Sequence, residues 1–130
     1  MNENRNLAIL NLRPEIKKVN NSLDSSDLET FQNTTIRPII KFQHPILLLI
    51  LKNHLDAIKY DLKKATLEKK SEFISNALQS NKQLNLQLTH TITALFSKEE
   101  YLFYNENSKD IHKRIVQICR ERFLTNLDSL

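Results

Sequence analysis

The 130-residue chain contains no glycine and no tryptophan, one cysteine, and no long uninterrupted apolar run. Average usage near 7% predicts roughly nine glycines in a chain of this size. Glycine supplies the positive-φ positions of tight hairpins, bulges and helix C-caps. Without it, the usual turns of β-hairpins and the glycine-rich loops that cradle phosphates or dinucleotides are excluded. Cys119 alone allows no intrachain disulfide, so nothing points to an oxidising compartment. The polar start, Met1 to Asn6, and the short apolar stretch Leu7 to Leu10 do not match a secretory signal. A cytoplasmic location is the expectation.

What is present is hydrophobic residues at 40% and charged residues at 26%, the balance of an ordinary globular chain. Nineteen Lys and Arg against fifteen Asp and Glu give a net charge of +4, spread without any block of five like charges. Such a spread fits a solvated surface better than the clustered charge of a nucleic-acid binder. The abundance of Asn and Lys is also compatible with an AT-rich coding sequence.

The segments read as helices throughout. A short turn at the amino terminus is followed by a helix beginning at Pro14, in the first-turn position that proline tolerates. Asn20 to Ser26 reads as a polar loop, so residues 1–26 form an arm and 27–130 the bundle core of a single domain. Ser26 or Asp27 caps the next segment, which meets Arg37-Pro38 and continues through Pro45 into the run Ile46-Leu-Leu-Leu-Ile-Leu51. One bent helix and two hinged helices both fit this stretch. Its run is apolar on every side and bracketed by Lys41 and Lys52, too short for a membrane span, so it reads as a central core helix. Thr66 opens a further helix, which Ser80 or Asn81 interrupts. Leu84, Leu88, Thr91, Ile92 and Leu95 follow an amphipathic spacing. Ser97-Lys-Glu-Glu100 is a capping box that starts a short helix. Asn105 to Ser108 breaks that helix and caps a last one over about 109–127, with Ile111, Ile115 and Ile118 on one stripe. The expected fold is an all-α bundle of five or six helices around a proline-kinked central helix.

No constellation of residues carries obvious chemistry. Glu-x-x-His pairs and His-Glu-x-x-His are absent, and a grouping of His54, Asp56 and His90 depends wholly on tertiary folding. No metal or other cofactor is expected. Cys119 falls on an apolar arc with Val116 and Phe123, where burial makes a thiol inert. Capping accounts for Glu99 and Glu100. Arg37, Lys41 and His44 form a cationic stripe beside the apolar run, and with His54 they are candidate ligands for a small acidic molecule. Tyr101, Phe103 and Tyr104 point in different directions, so at least one ring is expected at the surface as a partner contact, the others covering the core. Lys113, Arg114, Arg120 and Arg122 make the last helix basic, which leaves a weaker nucleic-acid reading.

The stretch Phe31-Gln-Asn-Thr-Thr-Ile-Arg-Pro-Ile-Ile-Lys-Phe-Gln43, Lys52-Asn53, Phe103-Tyr-Asn-Glu-Asn-Ser108 and Arg114-Ile115 resemble segments of a small family of bacterial helical proteins whose members often carry a glyoxalase label. True glyoxalase I enzymes are built from βαβββ modules with His and Glu metal ligands on strands. Nothing here matches those modules, so no catalytic residue carries over. The reading is a non-enzymatic module that binds a protein partner or a second copy of itself. A small-molecule binder or enzyme, and a nucleic-acid binder, are the alternatives.

Overall fold

In a computed structural model, residues 2–13 and 26–130 are described, and every element among them is helical. The helix expected from Pro14 and most of the polar loop lie outside those residues. Where a short turn was expected at the amino terminus, an eleven-residue helix, α1 (Asn2–Leu12), is found. Its residues bury little apolar surface beyond Ile9. What docks it is polar: Arg5 donates from Nη1 to the Phe96 carbonyl (2.9 Å) and from Nη2 to that of Ala94 (3.0 Å), while Arg13 Nη2 donates to Leu95 (3.1 Å). These carbonyls follow the end of a helix, where unpaired acceptors and the negative dipole end favour cations.

From Ser26 the chain is helical without a break to Ala57. Ser26 is the cap, its hydroxyl accepting from the Glu29 N–H at 3.1 Å. Helix α2 (Asp27–Phe31) passes into a π-helical segment, Gln32–Ile36, and then into α3 (Arg37–Ala57). The wide turn has a local cause. Pro38 has no N–H and its ring crowds the carbonyl four residues earlier. The Arg37 N–H donates to the Gln32 carbonyl, five residues back, so the helix takes in one extra residue ahead of the proline. Phe31, Thr35, Ile36, Ile39 and Ile40 thereby all face inward.

Side-chain caps open three of the four remaining helices. Thr66 caps α4 (Leu67–Ser80) and Asn81 caps α5 (Lys82–Thr93). Ser97 and Glu100 form both halves of a capping box on α6 (Lys98–Glu106). The break after α6 is confined to Asn107, narrower than the four residues expected, and α7 (Ser108–Thr125) follows directly without the expected side-chain cap, since the Asn107 amide donates back to the Phe103 carbonyl. Helices α3, α4, α5 and α7 enclose the core, in which Leu47, Leu51, Ile74, Leu88, Ile92, Ile111, Ile115 and Phe123 are fully buried. Helix α6 covers one end. Phe103 packs on Phe31 (ring centroids 4.8 Å apart), and Tyr104 meets Phe96 edge-on at 5.9 Å.

Among the described residues one left-handed residue occurs without glycine. Lys59 follows α3 with φ 58°, where the Lys59 N–H donates to Asp56 and the Tyr60 N–H to Leu55. This is the paired bonding of a Schellman turn, with lysine in the position that glycine usually fills. The left-handed region costs a residue with a Cβ about 1–2 kcal/mol, and glycine's greater unfolded freedom offsets part of that gain. Lys59→Gly is therefore expected to raise stability by about 0.5–1 kcal/mol, read from chemical denaturation at unchanged m-value. A loss of stability contradicts the assignment of strain to this residue.

Candidate functional site

Helix α3 is not buried all round. Its neighbours α5 and α7 take one side, and Gln43 Nε2 ties it to the Thr91 carbonyl of α5 at 3.1 Å. Within the apolar run, Leu47, Ile50 and Leu51 are buried, whereas Ile46 is 46% and Leu49 53% exposed. This corrects the reading of the whole run as core: the bundle supplies neighbours for one face only. Phe42, Ile46 and Leu49 stand at i, i+4 and i+7, so they form one outward stripe, and exposed Pro45 lies beside it. Four large apolar groups in one row make a patch on the order of a few hundred Å², the size at which exposed apolar surface marks a contact site.

At its amino-terminal end the stripe runs into a depression of about 510 Å³ between α1, α3 and α7. Leu12, Phe42 and Pro45 form the apolar wall, and Arg13, Lys41, His44 and Arg122 the polar one. The Arg122 Nε–H donates to His44 Nδ1 at 2.8 Å. Accepting at Nδ1 leaves a neutral imidazole with its proton on Nε2. Burial, and then the Arg122 charge, hold the His44 pKa below its ordinary value.

Behind the depression lies a carboxylate with four hydrogen-bond donors. Glu100 accepts from Arg13 through both of its Nη groups, from the Thr35 hydroxyl (2.9 Å) and from the Ser97 backbone N–H (2.8 Å). Burial alone raises such a carboxyl. The hydrogen bonds from Arg13 and Ser97, the Arg13 charge and the Thr35 hydroxyl outweigh it and leave the pKa lowered. Arg13–Glu100 is the one ion pair among the described residues, and it joins α1, the π-helical segment and α6.

The remaining candidates are dispersed. Lys41 and His44 share the depression, but Arg37 lines a separate groove of about 820 Å³ along α7, and His54 lies in another depression of about 250 Å³ with Asn53 and Gln87. The set Arg37, Lys41, His44 and His54 therefore does not converge, because Arg37 stands about two turns before His44 along α3 and His54 about three turns after it. Lys113, Arg114 and Arg120 line the α7 groove together with Asp110 and Glu121, whereas Arg122 turns to His44. These four basic residues of α7 do not share one face. Tyr101 is exposed and Phe103 and Tyr104 are half-buried against the aromatic core, the division in which one ring meets solvent and two cover the core.

The one cysteine is sequestered. Cys119 is fully buried, and burial pushes its thiol up to about 12, opposed by the Arg122 charge. Among the described residues no three His, Cys, Asp or Glu side chains gather as metal ligands. No described helix is long and apolar enough to cross a membrane. Comparison with known proteins gives no match to a family model, a curated protein or a solved structure.

Sequence reasoning missed Phe42, Ile46 and Leu49 as surface residues, and Arg13 and Arg122 as the companions of Lys41 and His44. The spacing of Phe42, Ile46 and Leu49 was a usable signal for a second stripe. The pairing of Arg13 with Glu100 had none, since 87 residues separate them.

Proposed function

We propose that this chain is a non-enzymatic interaction module that binds a protein partner through the outer face of α3. The observation that carries the reading is the exposed row Phe42, Ile46 and Leu49, with Pro45, on a helix whose opposite face is anchored in the core. A rigid helix presenting anchors at i, i+4 and i+7 suits recognition of another helix laid along it. Aromatic and aliphatic side chains of this kind dominate binding energy when a partner excludes water from them. The groups chemically able to serve catalysis support the same reading. Cys119 is buried with a raised pKa, and Glu100 has its oxygens filled by structural donors.

Leu49→Glu tests it. The side chain is exposed, so stability is expected to change by no more than about 0.5 kcal/mol. A charge inside the contact surface is expected to weaken partner capture by about tenfold or more, since tenfold corresponds to ~1.4 kcal/mol. Leu67→Glu, at an equally exposed leucine on α4, is the control and should leave capture unchanged. Quantitative co-purification from the producing cell reads both. Equal capture by Leu49→Glu and the unaltered chain contradicts the proposal.

A further inference from the structure

The ends of the α3 stripe say what kind of partner fits it. Lys41 and Lys52 bound the stripe, and residues 37–55 contain no acid, the nearest being Asp56, one turn beyond Lys52 and outside the stripe. A second copy packed antiparallel about the middle of the run sets Lys41 opposite Lys52, and a parallel copy sets each lysine opposite itself. Either arrangement places like charges together at the margins of an apolar contact, which disfavours that pairing. The face is therefore poorly matched to itself and well matched to a segment carrying acids.

The depression at the amino-terminal end of the stripe sharpens this. Three permanent cations border it, and only Arg13 has a carboxylate partner among the described residues. Arg13 is the telling one. Its side chain is 9% exposed, its Nη groups are committed to Glu100 and Leu95, and its buried Nε has no hydrogen-bond partner among the described residues. A buried donor without an acceptor costs about 1–3 kcal/mol, and this one belongs to a residue that lines the depression. Lys41 and Arg122 border the same space, and the Nε2–H of neutral His44 is a further donor. Phe42 and Pro45 belong both to the wall of the depression and to the apolar face. A carboxylate here thus continues directly into an apolar body.

We infer that the partner docks on α3 with an amphipathic helix whose apolar stripe is flanked by Asp or Glu, one of whose carboxylates enters the depression formed by Arg13, Lys41, His44 and Arg122. The inference rests on the interaction reading above and names the chemistry of the partner. Lys41 to Lys52 spans about 16 Å of helix at 1.5 Å per residue, so roughly three turns of partner cover the face. Acids near both ends of that segment meet Lys52 and the depression together. The attraction speeds encounter and is screened by salt.

A displayed library of helical peptides of about 16 residues, with a fixed apolar stripe and margins randomised among Glu, Gln and Lys, provides the test against the full chain. Glu is expected to be enriched at the margins, and the selected peptides to bind about tenfold or more tighter than their Gln counterparts. Selection against Lys41→Glu, an exposed position, is expected to shift the preference toward Lys. Leu49→Glu is expected to abolish recovery altogether. Equal recovery of Gln or Lys margins overturns the acidic-partner inference but leaves the interaction reading standing, provided Leu49→Glu still removes binding. Recovery indifferent to Leu49→Glu overturns both, and no recovery above background overturns the inference. Octanoate and phosphatidylglycerol vesicles are the remaining arms. Displacement of the peptides by octanoate at equimolar concentration, or vesicle binding that Lys41→Glu abolishes, assigns the depression to a free amphiphile or a lipid surface and overturns the inference.

Discussion

Replacing Glu100 by alanine is expected to lower stability by about 3–5 kcal/mol, the range for removing one partner of a buried ion pair. The change strips Arg13 of its counter-ion, leaves the Thr35 hydroxyl and Ser97 N–H without their acceptor, and removes half of the α6 capping box. Glu100→Gln separates these effects, since glutamine still completes the box and a cap is worth about 1 kcal/mol. Its remaining deficit belongs to the charge. Helix α1 is expected to lose amide-exchange protection in both variants, because Arg13 is one of its main attachments and apolar burial contributes little.

The pH dependence has a definite sign. The Glu100 pKa is lowered in the folded chain, so the stability it contributes is fully present above the ordinary carboxylate range. That contribution is lost as pH falls through the lowered folded value. Unaltered chain and Glu100→Gln should therefore differ at neutral pH and converge in acid. A constant difference across pH 2–7, measured by denaturation, contradicts the role given to the carboxylate.

The second large effect is expected from Phe96→Ala. Phe96 is 1% exposed and holds Phe31 edge-on at 5.4 Å and Tyr104 at 5.9 Å. Large-to-small changes at such a phenylalanine cost about 3–5 kcal/mol. In a chain of this size that lowers Tm by about 10–20 °C. The loop carbonyl that Arg5 caps belongs to the same residue, so loosening here also weakens the α1 attachment. Tyr101→Ala is the counterpart, an exposed ring whose loss should cost no more than about 1 kcal/mol. A Tyr101 effect as large as that of Phe96 overturns the view that α6 covers the core through Phe103 and Tyr104.

The helical fold was legible because local chemistry and tertiary packing agree. Thr66 and Ser97 each cap the helix that their spacing announces, Ser26 is the cap of the pair Ser26 and Asp27, and Asn81, expected only to interrupt a helix, caps the next one. Ile111, Ile115 and Ile118 face the core from α7 as their periodicity implies. Less was legible where the outcome depends on contacts far apart in the chain. An apolar run carries no direction of its own, so only the placement of α5 and α7 shows that Ile46 and Leu49 lie outside. The π-helical segment follows from Pro38, yet proline permits a kink or a break equally well. Lys59 shows that lacking glycine moves the left-handed position onto another residue rather than removing it. The cationic stripe failed as a set because Arg37 and His54 lie about two and three turns along α3 from His44, where Arg122 reaches the helix.

The claim that the working surface is the outer face of α3 is tested most directly by photo-crosslinking. A photoreactive side chain is placed in turn at Leu49, Leu67 and Lys113, and irradiation is carried out in the producing cell. The account predicts a discrete protein adduct from position 49 and none from positions 67 and 113. An adduct from position 113 with none from position 49 contradicts it, and places the contact on the groove along α7.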